Sequence, residues 1–154
     1  VSFEIEFEHP LIAKQRFVDK ITPHTFECQI SKARTFGFLS EVELLRENGF
    51  ARGGSLENAV VVGDTSIYNS DGLRFSDEFV RHKVLDLIGD LYLLGGPILG
   101  KVKAVKSGHA LHHVFSRELL NRPYAWEYVE HDRTWAIPSW VGQKDDVISA
   151  AIPA

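Results

Sequence analysis

The opening "SFEIEFEH" alternates Phe3, Ile5 and Phe7 with Glu4, Glu6 and Glu8. A period of two describes a half-buried strand with a charged outer face, predicted here over residues 2 to 8. In "TPHTFECQISKA", Thr22 offers a helix cap and Pro23 a first helical position, while Phe26, Ile30 and Ala33 fall at helical spacing. A helix over about 23 to 33 follows. "SEVELLRENG" reads as a capping box, Ser40 with Glu43, opening a short helix that Asn48 and Gly49 end. Beyond it come a glycine pair, a β-branched run from Ala59 to Val62, a Gly63–Asp64 turn, a short strand near Ser66 to Tyr68 and an "NSDG" turn. Together these predict a small appended βαβ-like element over about 42 to 68.

The longest apolar pattern comes next. Ser76 or Asp77 caps it, Asp77 and Glu78 suit its first turn, and "GGP" at 95 to 97 stops it. "ILGKVKAV" alternates as a strand, with Val102 and Ala104 on one face and Lys101 and Lys103 on the other. "SGHALHHVFSRELL" predicts a helix capped by Ser107, with Leu111, Val114, Phe115, Leu119 and Leu120 turned inward. From Glu130 the periodicity decays, so residues 130–154 read as a poorly specified tail. Helices and strands in mixed order predict an α+β two-layer sandwich: a mixed β-sheet packed on two main helices, plus the inserted element.

Composition narrows the function classes. The 154 residues are 44% hydrophobic and 25% charged, enough for one core or two small ones. A net charge of −4 gives no general electrostatic footprint for nucleic acid or an anionic membrane. No apolar run reaches the roughly 18–20 residues of a transmembrane helix, and the N-terminus lacks a signal-peptide layout. Cys28 is the single cysteine, which excludes an internal disulfide, fits a reducing compartment and reads as a small buried residue. With no methionine at all, the chain is expected to be part of something longer.

The chemistry lies in "RHKVLDLIGD". His82, Asp86 and Asp90 are spaced by four in an otherwise apolar helix, so they rise along one side with a drift of about 40° per step. A histidine and an aspartate at i and i+4 can hold one divalent cation of the zinc type, although a catalytic zinc needs a third protein ligand and an open position. The same spacing describes a solvated pair worth a few tenths of a kcal/mol, the commoner case. Gly89, costing about 1 kcal/mol against alanine in mid-helix, suggests that another group passes close. Lys83 reads by composition as a surface lysine. His109 would sit in the first turn after a Ser-Gly corner, where the helix dipole disfavours an imidazolium. A carboxylate within about 4–6 Å would oppose that effect and fix the tautomer, and Asp90 is the candidate. His112 and His113 show no such partner and read as surface or packing residues.

"ISKARTFGF" (30–38), "GGSLENAVVV" (53–62), "NSDGLRFSDEFVRHKVLDLIGDLYLLG" (69–95) and "KSGHALHH" (106–113) together resemble the C-terminal domain of the UDP-3-O-acyl-N-acetylglucosamine deacetylases. These are zinc amidases that commit Gram-negative bacteria to lipid A synthesis. The resemblance runs over about 3 to 129, making residues 1–129 the domain. It implies that His82 and Asp86 are two of three zinc ligands, and that a protonated His109 stabilises the oxyanion and protonates the leaving amine. Asp90 would orient His109. Thr35, in the "RTFGF" turn, would polarise the scissile carbonyl, and Lys83 would bind substrate. Phe7 would stack on the uracil ring, Phe36 would line the sugar region, and Gly53 and Gly54 would let the 3-O-acyl chain approach the backbone of the inserted element. A substrate of this kind implies a cytoplasmic protein with a peripheral approach to the inner membrane.

One departure is plain. The family's third zinc ligand and its general base come from an N-terminal domain with a His-Glu motif, and no histidine here is followed by glutamate. The chain is therefore expected to hold half an active site and to be inactive alone. An N/O site with an open position suits Fe2+ as well as Zn2+. Two alternatives remain: a non-catalytic acyl-sugar or nucleotide-sugar binding module of the same fold, or a structural domain with an incidental His/Asp pair.

Overall fold

The computed structural model describes residues 1–49 and 52–129; the tail expected over 130–154 lies outside the described residues. The chain forms two compact units, one of Val1–Leu85 with Ala104–Lys106, the other of Asp86–Lys103 with Ser107 onward.

In the first unit, β1 (Ser2–Glu6) pairs antiparallel with β2 (Lys14–Val18) in the register Phe3↔Phe17, and β5 (Lys103–Val105) lies along the other edge of β1. The alternation acts as expected. Phe3 and Ile5 are buried with Phe17, while Glu4 faces Lys14 at 2.8 Å and Glu6 pairs with Lys106. β1 ends two residues early because Phe7 N–H turns to Ala13 O (3.0 Å), closing a loop in which Ala13 takes φ 48°. β2 was not predicted. "KQRFV" has one inward apolar residue, and pairing with β1 makes it a strand.

Thr22 caps α1 (Pro23–Thr25) by accepting from Thr25 N–H at 3.1 Å, but after one turn the coil widens to a π-helical segment, Phe26–Ile30. Ile30 and Ala33 are buried as the spacing requires, whereas Cys28 is exposed, contrary to its expected burial. The βαβ element is present and begins earlier than expected: β3 (Thr35–Phe38), α2 (Leu39–Glu47) and β4 (Ala59–Val62), with β3 parallel to β4. The "RTFGF" segment is thus a strand, since the crossover helix returns β4 alongside it. Phe38, rather than Ser40, is the N-cap of α2, and Ser40 lies in its first turn. The expected strand at 66–68 is a single bridge, Val62↔Ile67. Buried Asn69 does the local stitching, accepting from Val61 N–H (3.0 Å) and donating to Leu56 O (2.7 Å) and Ala59 O (2.8 Å).

Helix α3 (Glu78–Tyr92) is continuous. Its first half gives the first unit Phe79, Val80 and Val84; its second half gives the other unit Leu87 and Leu91. Gly95 at φ 97° follows the helix end. In the second unit, α4 (His109–Leu120) is capped by Gly108 rather than Ser107. Its apolar side is shallower than expected: Leu111, Val114, Phe115 and Leu119 are half-buried, Leu120 is exposed, and the buried residues are His112 and Ser116. Trp126 Nε1–H then donates to Leu119 O at 3.0 Å.

A buried ion pair sets the start of α3. Arg34 Nε and Nη2 donate to the two oxygens of Glu78 at 3.0 and 3.2 Å, and Arg34 and Arg74 backbone N–H groups add bonds of 2.9 and 2.6 Å. Arg34 also reaches Gly72 O at 2.7 Å and Asp71 at 3.2 Å. Burial pushes the Glu78 carboxyl up, but these donors and the guanidinium charge outweigh it and hold its pKa below the ordinary glutamate value. Glu78→Gln should destabilise the protein by about 3–5 kcal/mol at pH 7, the cost of leaving a buried partner uncompensated. A carboxylate with a lowered folded pKa contributes stability that is full above its unfolded pKa and is lost as pH falls through the folded one. Urea unfolding of the native protein should therefore show stability declining below about pH 4.5, with that component missing from Glu78→Gln.

Candidate active site

In the second unit, the two helices bring one carboxylate under several imidazoles. Asp90 Oδ2 lies 2.7 Å from His109 Nδ1 and 2.6 Å from His112 Nδ1, and Oδ1 lies 3.5 Å from His113 Nε2. A carboxylate accepts, so both Nδ1 atoms carry protons. Burial raises the Asp90 pKa, but the hydrogen bonds from His112 and His109 and their charge prevail and hold it below the usual aspartate value. His109, 63% exposed, also has Nε2 at 3.9 Å from Asp86 Oδ2. The expected proximity of Asp90 and His109 is thus observed, with a half-buried carboxylate holding an exposed imidazole.

His112 was missed. Its side chain is 3% exposed, and Nε2 meets Ser107 Oγ at 2.9 Å, so it is neither a surface residue nor without a partner. Nothing local reveals this, because Asp90 is 22 positions away on the other helix. Ser107 Oγ–H donates to His112 Nε2, and Gly108, one residue on, is the N-cap of α4.

In the first unit, His82 Nδ1 lies 3.1 Å from Ala33 O. A carbonyl only accepts, so Nδ1 carries the proton and the ring's lone pair sits on Nε2, the tautomer of a metal-binding histidine held by a backbone carbonyl. Asp86 follows one turn later on the continuous helix. An imidazole nitrogen and a carboxylate oxygen are donors that zinc or ferrous iron accepts, so this pair fits the cation that the family resemblance implies. Among the described residues a group of three metal-capable side chains, Asp90, His109 and His112, has its donor atoms within 4.8 Å of one another. There the two Nδ1 protons already occupy the carboxylate, which makes the group a hydrogen-bonded cluster first.

Phe36 stands between Phe7 and Phe79, ring centroids at 5.7 and 4.9 Å, with the His82 ring at 6.4 Å. Beside them is a hollow of about 350 Å3 lined by Phe7, His9, Phe38, Leu39, Val62 and Asp64. Thr35 is exposed at the head of β3, and Lys83 is half-buried on α3. Gly53 and Gly54 are exposed in the loop after α2, and a Cβ on Gly53 would meet nothing within 4 Å. The same holds for Gly89, so no group among the described residues makes the close approach its position suggested.

Over residues 1–121 the chain matches the model of the UDP-3-O-acyl N-acetylglycosamine deacetylase family, LpxC. It belongs to that family. Proteins named UDP-3-O-acyl-N-acetylglucosamine deacetylase are similar to it: that of Myxococcus xanthus is 54% identical over 129 residues, covering 84% of this chain and 41% of the relative. Those of Pasteurella multocida and Teredinibacter turnerae are 50% and 51% identical over 140 residues, covering 90% of this chain and 46% of each relative. The chain thus spans less than half the length of these relatives.

The His82 geometry has a direct readout. Nitrogen-15 NMR of the metal-free protein at pH 8 should show the His82 ring as the Nδ1-protonated tautomer; an Nε2-protonated ring would contradict the Ala33 bond.

Proposed function

We propose that this chain is the C-terminal domain, residues 1–129, of a metal-dependent deacetylase that hydrolyses the N-acetyl amide of a UDP-3-O-acyl-N-acetylglucosamine, the committed step of lipid A biosynthesis. The observation that carries the reading is the exposed His109 held at 2.7 Å by half-buried Asp90, close to Asp86. A binding module needs no such pair. In this reading His82 and Asp86 hold Zn2+, or Fe2+, whose role is to make a nucleophile from water at neutral pH. Protonated His109 opposes the charge on the carbonyl oxygen as it becomes tetrahedral and gives its Nε2 proton to the departing amine, while Asp90 keeps the ring's other nitrogen engaged. The Thr35 hydroxyl polarises the same carbonyl, and Lys83 binds substrate. Phe7 and Phe36, aromatic faces beside the hollow, suit a uracil ring and a sugar, and the inserted element with Gly53 and Gly54 takes the 3-O-acyl chain.

The third metal ligand and the general base come from an N-terminal domain. The reading is supported by the share of the relatives that the chain covers and by the absence of any His-Glu pair in its sequence. No helix of the described residues is long and apolar enough to cross a membrane. We place the protein in the cytoplasm, approaching the inner membrane peripherally for its acylated substrate.

The chain alone, loaded with zinc and given the acylated UDP-sugar, should release no acetate above background; robust turnover would show that a second domain is dispensable. In the full-length protein, His109→Ala should lower kcat about 10²- to 10⁴-fold, the usual worth of a positioned general acid. Retained turnover would remove His109 from the chemistry.

A further inference from the structure

Asp90 has a second anchor that the proposed chemistry does not use. His112 is buried, with Nδ1 at 2.6 Å from Asp90 Oδ2 and Nε2 at 2.9 Å from Ser107 Oγ. We propose that His112 is a positioning residue: braced by Ser107, its ring holds the Asp90 carboxylate in the rotamer that faces His109. His109 and His112 stand three apart on α4, so their rings share a face and converge on one oxygen. The exposed His109 ring has little packing to fix it, whereas His112 is fixed by burial and by bonds at both nitrogens. Ser107 directly precedes the Gly108 cap, so the same bond ties the turn before α4 to the helix whose first residue is His109. His113 Nε2 reaches the other oxygen only at 3.5 Å and from an exposed position, which makes it the weaker partner. This inference rests on the reading of His109 as the acid and adds the residues that aim it.

Three variants in the full-length protein test it. His112→Phe keeps a ring of similar volume and removes the donor; His112→Asn places an amide N–H near the lost Nδ1. The phenylalanine variant should lower kcat roughly 10- to 100-fold, the range for outer partners of an active site, with KM unchanged, and asparagine should recover most of the loss. In 15N-histidine-labelled protein, the His109 ring N–H bonded to Asp90 should vanish in the phenylalanine variant and persist in the asparagine one. An unchanged ring signal and kcat in His112→Phe, or equal losses in both variants, would overturn the inference. Should His112→Phe fail to fold, Ser107→Ala, which removes only the brace, should show a smaller kcat loss of the same kind, and no loss counts against it. If His109→Ala keeps full turnover, the reading of His109 falls, while the ring signal still decides whether His112 aims it.

Discussion

The buried pair of Arg34 and Glu78 is the constraint on which the rest is hung. A carboxylate with no exposure persists only when its acceptor sites are filled, and four N–H donors fill them here. The two residues are 44 positions apart, so the pair registers the residue just before β3 with the first turn of α3. A helix has one azimuth. Once its first turn is fixed, the direction of His82, four residues on, follows from 100° per residue, and a slip of one residue would turn it away.

The second half of that helix explains why an apolar segment carries carboxylates. Asp90 is only 12% exposed, a position where an unpaired charge would be costly, and the imidazoles of α4 make it tolerable. The exchange runs both ways. The carboxylate accepts the Nδ1 proton of His109 at 2.7 Å and so orients that ring. Because the buried contact is from His112, the Asp90 carboxylate is held by a residue away from solvent and presented to one that meets it.

What could be read from the sequence was what neighbours in the chain decide. Alternation marked β1, Thr22 and Pro23 marked α1, Asn48 and Gly49 marked the end of α2, and the four-residue spacing in α3 picked out His82, Asp86 and Asp90. What it hid was decided by partners far along the chain. β2 is a strand because of β1, and His112 meets Asp90, 22 positions away, as well as Ser107. Cys28 was misjudged for a related reason: burial depends on which side of the widened π-turn meets the core, and a composition rule cannot know that. Substrate roles for Phe7, Thr35, Lys83, Gly53 and Gly54 came from resemblance alone, since nothing in their spacing selects a ligand.

On the proposed reading, the two halves of the chemistry are assembled by different means. The acid side is complete within this chain: His109, Asp90, His112 and Ser107 are joined by hydrogen bonds that need neither cation nor substrate. The nucleophile side is not, because one histidine and one aspartate give two of the ligands that a catalytic zinc requires. Two donors on one helix bind a cation weakly, and a third from elsewhere raises affinity because the first two are already oriented. The metal would then report that both domains are in place. Folding of this chain alone would prepare the proton donor without generating a hydroxide for it to work with.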